Sequence, residues 1–227
     1  MGLDMNIYKN KTVKTERGER FKRTVEITEV LYLRKANQIH KYIVENFADG
    51  VDECQEIGME IDDIKDLKER CEQVVKGSKL VDGWNYYNDS SSRWLSEADE
   101  VELAEKKNNR FESTGKCSVM VLSVGDYIYD NDHCAEKVEK IEKRDDKYLV
   151  RCGVECREKV IKNPELAENL LPTQAGFFFG DTTYNENYID DLKEYIRQAD
   201  EIIADYDNEI ANGTDKYDLD YTYEASW

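Results

Sequence analysis

Leu3, Met5 and Ile7 alternate with Asp4, Asn6 and Tyr8, and this period of two predicts a half-buried first strand over residues 2–8. Residues 24–30 alternate again and predict a second short strand, with Val25, Ile27 and Val30 turned inward. The basic, polar run 9–22 between them, with Gly18 in its middle, reads as a loop. From residue 31 the period changes. Leu33, Ala36, His40, Ile43 and Phe47 recur at spacings of three and four, which predicts a helix over 31–47 that stops at Asp49-Gly50. Arg34, Asn37 and Lys41 would share one polar flank of that helix. Residues 51–61 read as extended. Asp62 then caps a second helix to about residue 75, with Ile64, Leu67, Cys71 and Val74 as its buried stripe.

Turn chemistry dominates from residue 78, with Asp82-Gly83 and the run Asn88-Asp-Ser-Ser-Ser. Ser96 with Asp99 resembles a capping box and predicts a charged helix over 96–107. The apolar run 118–124 predicts a strand, as does 127–129, and 138–141 with 148–152 predict a hairpin around Arg144-Asp145-Asp146. Residues 78–161 thus read as an inserted region holding a small antiparallel unit. The short apolar run Phe177, Phe178 and Phe179, fenced by Gly176 and Gly180, reads as a buried strand. The cleanest helix covers 186–210, with Ile189, Leu192, Ile196, Ala199, Ile203, Tyr206 and Ile210 on one seam. Such a stripe more often buries within its own domain than in a homodimer, although it would serve either. Residues 213–227 form an acidic, aromatic tail. The expected fold class is α+β: a mixed or antiparallel sheet covered by about three helices, from residues 1–77 and 162–212, with a small β-rich insertion.

Composition narrows the partners. The 227 residues carry a net charge of -18, which argues against general binding to nucleic-acid phosphates and makes any local cationic patch conspicuous. No stretch has the length and purity of a membrane span, and the start lacks the apolar core of a signal peptide, so a cytoplasmic protein is expected, with its six cysteines reduced.

Two groups of residues carry chemistry. Arg34 and Lys41 offer a fork and a point charge for phosphate or carboxylate, Asn37, Thr173 and Gln174 offer polar edges, and Phe177, Phe178, Phe179 and Tyr184 offer rings for stacking. Against this stand a plain ion pair of Lys41 with Glu45 and a phenylalanine run that is merely core. His40 is the other candidate, as an acid–base group beside Asp4 or Asp181, although a lone helical histidine is more often a satisfied core residue. His133, Cys134, Cys152 and Cys156 could in principle hold zinc, but small buried thiols are the simpler account. No metal, no cofactor and no catalytic residue is expected.

Three segments, the start MGLDM, RKANQIH at 34–40 and LLPTQAGFFFG at 170–180, resemble a family of bacteriophage and prophage proteins, known by these marks rather than by an activity. The resemblance covers roughly 1–75 and 165–205. It implies a phage origin and an infected bacterial cell as the setting. Small phage proteins with a polar, aromatic-lined pocket are similar in outline to sponges that sequester nucleotide immune signals, an analogy of class only. The leading expectation is therefore a phage anti-defence protein that binds a small anionic nucleotide-like ligand at Arg34, Asn37, His40, Lys41, Thr173, Gln174, Phe177–Phe179 and Tyr184. The alternatives are an acidic interaction protein or nucleic-acid mimic that blocks a host defence protein, and a nucleotide-acting enzyme using His40.

Overall fold

The computed structural model describes residues 2–17, 20–108 and 110–227, and they form an α+β protein of antiparallel sheets and four helices. The chain divides into two compact units, residues 1–80 with 161–227, and residues 81–160.

The first unit is a four-stranded sheet with helices on one face. β1 (Asp4–Arg17) and β2 (Arg20–Arg34) form one long hairpin, and the order across the sheet is β2, β1, β10 (Leu219–Ser226), β3 (Ile57–Met59). The helices are α1 (Asn37–Phe47), α2 (Ile61–Gly77), the short α3 (Glu165–Leu170) and α4 (Glu186–Ala211). Leu3, just before β1, and Met5 and Ile7 within it point at the helices and are fully buried, as the alternation predicts. They meet Ile64, Leu67, Cys71 and Val74 of α2 and Leu192, Tyr195 and Ala199 of α4 in one core. The long seam of α4 therefore serves its own unit: Ile189, Leu192 and Ala199 bury as predicted, Tyr195 and Ile202 bury one position before the predicted Ile196 and Ile203, and Ile210 at its end is exposed. Residues 213–227 are no loose tail. After a short 3₁₀ turn they become β10, the strand hydrogen-bonded to both β1 and β3, and Tyr221 and Tyr223 sink into the core.

The run 9–22 is strand rather than loop wherever it is described; Gly18 lies outside the described residues. The reason is distant in sequence. Lys9 and Lys11 face α4, where Lys9 pairs with Asp205 at 2.5 Å and Lys11 with Glu209 at 2.6 Å, so their charges are neutralised while their stems cover the sheet. A second correction concerns the face of β2. Leu31 pairs with Ile7 but Glu29 pairs with Tyr8, which leaves Val30 as an extra, bulged residue. The bulge inverts the alternation, so Val25 and Ile27 point away from the helices and are 57% and 67% exposed. A third is that the helix predicted from residue 31 begins only at Asn37. Arg34 ends the strand, so Arg34, Asn37 and Lys41 do not form one helical stripe.

The second unit is a six-stranded sheet in the order β4 (Leu80–Ser96), β9 (Lys147–Ile161), β8 (Cys134–Arg144), β7 (Tyr127–Tyr129), β5 (Glu100–Lys107), β6 (Arg110–Ser118). Its core holds Val101, Val119, Ile128, Val138 and Val150. The helix predicted over 96–107 is a strand: Asp99 accepts from the Ser96 amide and hydroxyl, but these bonds close a turn, and Val101 buries with a period of two. The apolar run 118–124 is a 3₁₀ turn with Met120, Val121 and Val124 exposed. The expectation of six reduced thiols also fails, because Cys134 and Cys156 sit opposite each other on β8 and β9 and are joined by a disulfide.

Candidate functional site

The loop 171–184 closes over the junction of β2 and α1, and one side chain holds it there. Asn37 is 1% exposed. Its amide NH₂ donates to the carbonyls of Phe179 at 3.1 Å and Asp181 at 2.8 Å, and its carbonyl accepts the Gln174 amide at 2.8 Å. All of these partners are loop backbone, so the expected proximity of Asn37 and the phenylalanine run is real, but it is a clasp and not an open pocket. Thr173 belongs to the same closure: its amide donates to the Tyr184 hydroxyl and its own hydroxyl to the Thr182 carbonyl. The three phenylalanines do not form a strand. Phe179 is buried, Phe178 packs against the core, and Phe177 is 95% exposed at the tip.

His40 is sealed. Its Nδ1 lies 2.6 Å from the Tyr223 hydroxyl and its Nε2 3.0 Å from the Asp52 carboxylate, with the rings of Phe179 and Trp227 at 5.2 and 5.6 Å. The side chain is 1% exposed, so a substrate has no access to it. Burial pushes the Tyr223 phenol well above its ordinary range, which keeps it a neutral partner. The network ties β10 and the loop before β3 to α1. Lys41 lies 3.9 Å from Glu45, the plain helical pair.

What stays open is a cleft of about 260 Å³ lined by Arg34, Lys35, Gln38, Gly180, Asp181, Thr183, Asn185, Asn187, Tyr188 and Asp191. It sits where the first turns of α1 and α4 come together, so both helices present the positive ends of their dipoles. Asn185 caps α4 by accepting from the Tyr188 amide, and its own amide donates to Asp181. Asp181 also takes the Thr183 amide and hydroxyl, so its carboxylate acts as a staple of the loop. Two cations remain. Arg34 has Asp4 at 3.6 Å on one side only. Lys35 pairs with no carboxylate among the described residues.

Lys35 is also backbone-strained. Its φ is 62°, in the left-handed region that costs an ordinary L-residue roughly 1–2 kcal/mol. Its stem lies on Gly180, where an added Cβ would come within 3.1 Å of the Lys35 Cβ, so Gly180, itself at φ +89°, is what lets the lysine lie there. Asp191, at the inner wall, has its carboxyl pushed up to about 6 by burial, with Asp190 nearby adding to the rise and the Gln38 amide at 3.3 Å opposing it. A strained cation and a perturbed carboxyl in one cleft are the usual marks of a site.

The sequence pattern puts Arg34 on a helix, whereas it ends β2, and it does not single out Lys35, Gln38 or Asp191, which line the same cleft. The signal for Lys35 was its place between an alternating strand and a helical period, where the chain must turn. Asp191 follows Asp190 in the first turns of a predicted helix, and nothing in the sequence separates the buried acid from the exposed one. Among the described residues no cluster of His, Cys, Asp or Glu could hold a metal, and His133 is exposed while Cys152 is buried. No helix among them is long and apolar enough to cross a membrane. No protein-family model matches the chain, and no curated protein and no solved structure resembles it at a significant level.

Proposed function

We propose that the first unit binds a small anionic ligand of nucleotide type in the cleft beside Arg34 and Lys35, and that the protein works by sequestering it, as a phage anti-defence protein would sequester an immune signal. The observation that carries the binding reading is Lys35, held in a left-handed conformation with its stem against Gly180 and lining a cleft that Arg34 also lines. Arg34 and Lys35 share the lining with Asp181 and Asp191, but Asp181 is taken up by Thr183 and Asn185 and Asp191 by Gln38, which leaves the two cations and the two helix N-termini to attract an anion. Arg34 and Lys35 would take a phosphate, and the amides of Gln38 and Asn187 would take polar edges. The phage setting rests on the MGLDM, RKANQIH and LLPTQAGFFFG segments, and sequestration rests on analogy of class.

Calorimetric titration with a panel of linear and cyclic nucleotides tests the reading. Saturable binding by the wild type that is lost in Arg34→Ala supports it, and no binding, or equal binding by the variant, removes it. The enzyme reading through His40 is not carried forward, because that ring is enclosed on every side by the contacts described above. An interaction protein acting on a host defence protein is a second reading, favoured by a different surface.

A further inference from the structure

Within the first unit, the described helices cover one face of the sheet. On the other face the registered rows run Glu224–Asn6–Tyr32, then Thr222–Tyr8–Glu29, then Asp220–Asn10–Ile27. A trough of about 460 Å³ lies there, floored by Tyr8 and Thr222 and walled by Val25 and Ile27 on the hairpin. β3 contributes Gly58 opposite Thr222, with nothing within 4 Å of where its Cβ would be, so that end of the trough is open.

Two features of this face belong together. The bulge at Val30 puts Val25 and Ile27 on the solvent side, where they cost solubility and contribute nothing to the core. Among the described residues lining the trough the charged ones are Glu56, Asp220 and Glu224, with Glu29 beside Tyr8, and the cations Lys14 and Arg23 pair in register beyond Val25 toward the hairpin tip. The Tyr8 phenol reports the same field, since burial raises its pKa first and Glu224 and Glu29 raise it further.

We infer that this face docks a short amphipathic segment of a partner protein, with apolar side chains against Val25, Ile27 and Tyr8 and lysines or arginines against Glu56 and Glu224. Charge decides the occupant. Nucleic acid and acidic peptides are repelled, and a second copy would bring the same carboxylates face to face. The inference uses no residue of the Arg34–Lys35 cleft and stands whether or not that cleft binds a nucleotide.

The test is an amide chemical-shift titration of the ¹⁵N-labelled full chain with the peptide acetyl-Lys-Leu-Lys-Val-Lys-Leu-Lys-amide and with its glutamate counterpart. Shifts clustered at Tyr8, Asn10, Ile27 and Thr222, seen only with the lysine peptide, are expected. Affinity should drop about tenfold or more when Glu56→Lys and Glu224→Lys are combined, and fall again between about 50 mM and about 500 mM salt. Ile27→Ser should weaken binding without restoring the glutamate peptide. Unperturbed α4 resonances show that each variant is folded. No shifts with the lysine peptide, shifts scattered over the surface, equal response to the glutamate peptide, or self-association through this face would overturn the inference.

Discussion

Asn37→Ala removes a side chain that makes no contact with solvent and holds the loop over the cleft. Three hydrogen bonds disappear, one buried and two partly buried, worth about 1 kcal/mol each. The Phe179 and Asp181 carbonyls and the Gln174 amide lose their partner, and whichever of them stays dry adds a desolvation penalty of about 1–3 kcal/mol. The loop can relax outward and rehydrate some of them, so the net loss should be about 3–5 kcal/mol, confined to the first unit. The three tryptophans make this measurable, because Trp227 lies in the first unit and Trp84 and Trp94 in the second. In 5-fluorotryptophan-labelled protein each gives its own ¹⁹F signal during urea unfolding. With a urea dependence of about 2 kcal/mol per molar, the midpoint read at Trp227 should fall by roughly 1.5–2.5 M while the other two hold. A fall worth under about 1 kcal/mol at Trp227, or equal shifts at all three, would refute the claim that Asn37 is the clasp.

Lys35→Gly should relieve left-handed strain, leaving stability unchanged or up to about 1 kcal/mol higher by denaturant titration, while anion binding weakens about tenfold or more. Asp191 gives a pH signature. Its folded pKa of about 6 stands above its ordinary 3.8, so its contribution is fully present below about pH 4 and is lost as pH rises through about 6; stability should fall across that window by at most about 3 kcal/mol, and Asp191→Asn should flatten the slope. Without reductant, a thiol reagent applied to the native protein should label exposed Cys54 first, and after denaturation it should label four cysteines and spare Cys134 and Cys156. Deleting β10 should unfold the first unit by circular dichroism, because it removes the strand between β1 and β3.

The parts of this fold legible in the sequence are those whose burial is decided locally. Ile64, Leu67, Cys71 and Val74 have one face to choose, and the helix period shows it. The same holds for the start of β1 and for the length of α4. The hairpin arm was hidden because Lys9 is made tolerable by Asp205, 196 residues away. The inverted face of Val25 and Ile27 was hidden because a one-residue bulge leaves no compositional mark. Ser96 and Asp99 misled because the same bonds close a turn or cap a helix. At the site, Arg34, Asn37 and Lys41 fall together on one predicted flank, but only tertiary structure makes Asn37 the clasp, leaves Lys41 in its pair with Glu45 and brings Lys35 beside Arg34.

The most direct test of the cleft is an amide chemical-shift titration of the labelled protein with pyrophosphate, followed by a cyclic dinucleotide. The account predicts saturable shifts at Lys35, Gln38, Gly180 and Thr183, abolished by Arg34→Ala, with the second unit silent. Resonances at those positions that stay fixed while the ligand is raised to millimolar excess, or that move equally in the variant, would contradict it.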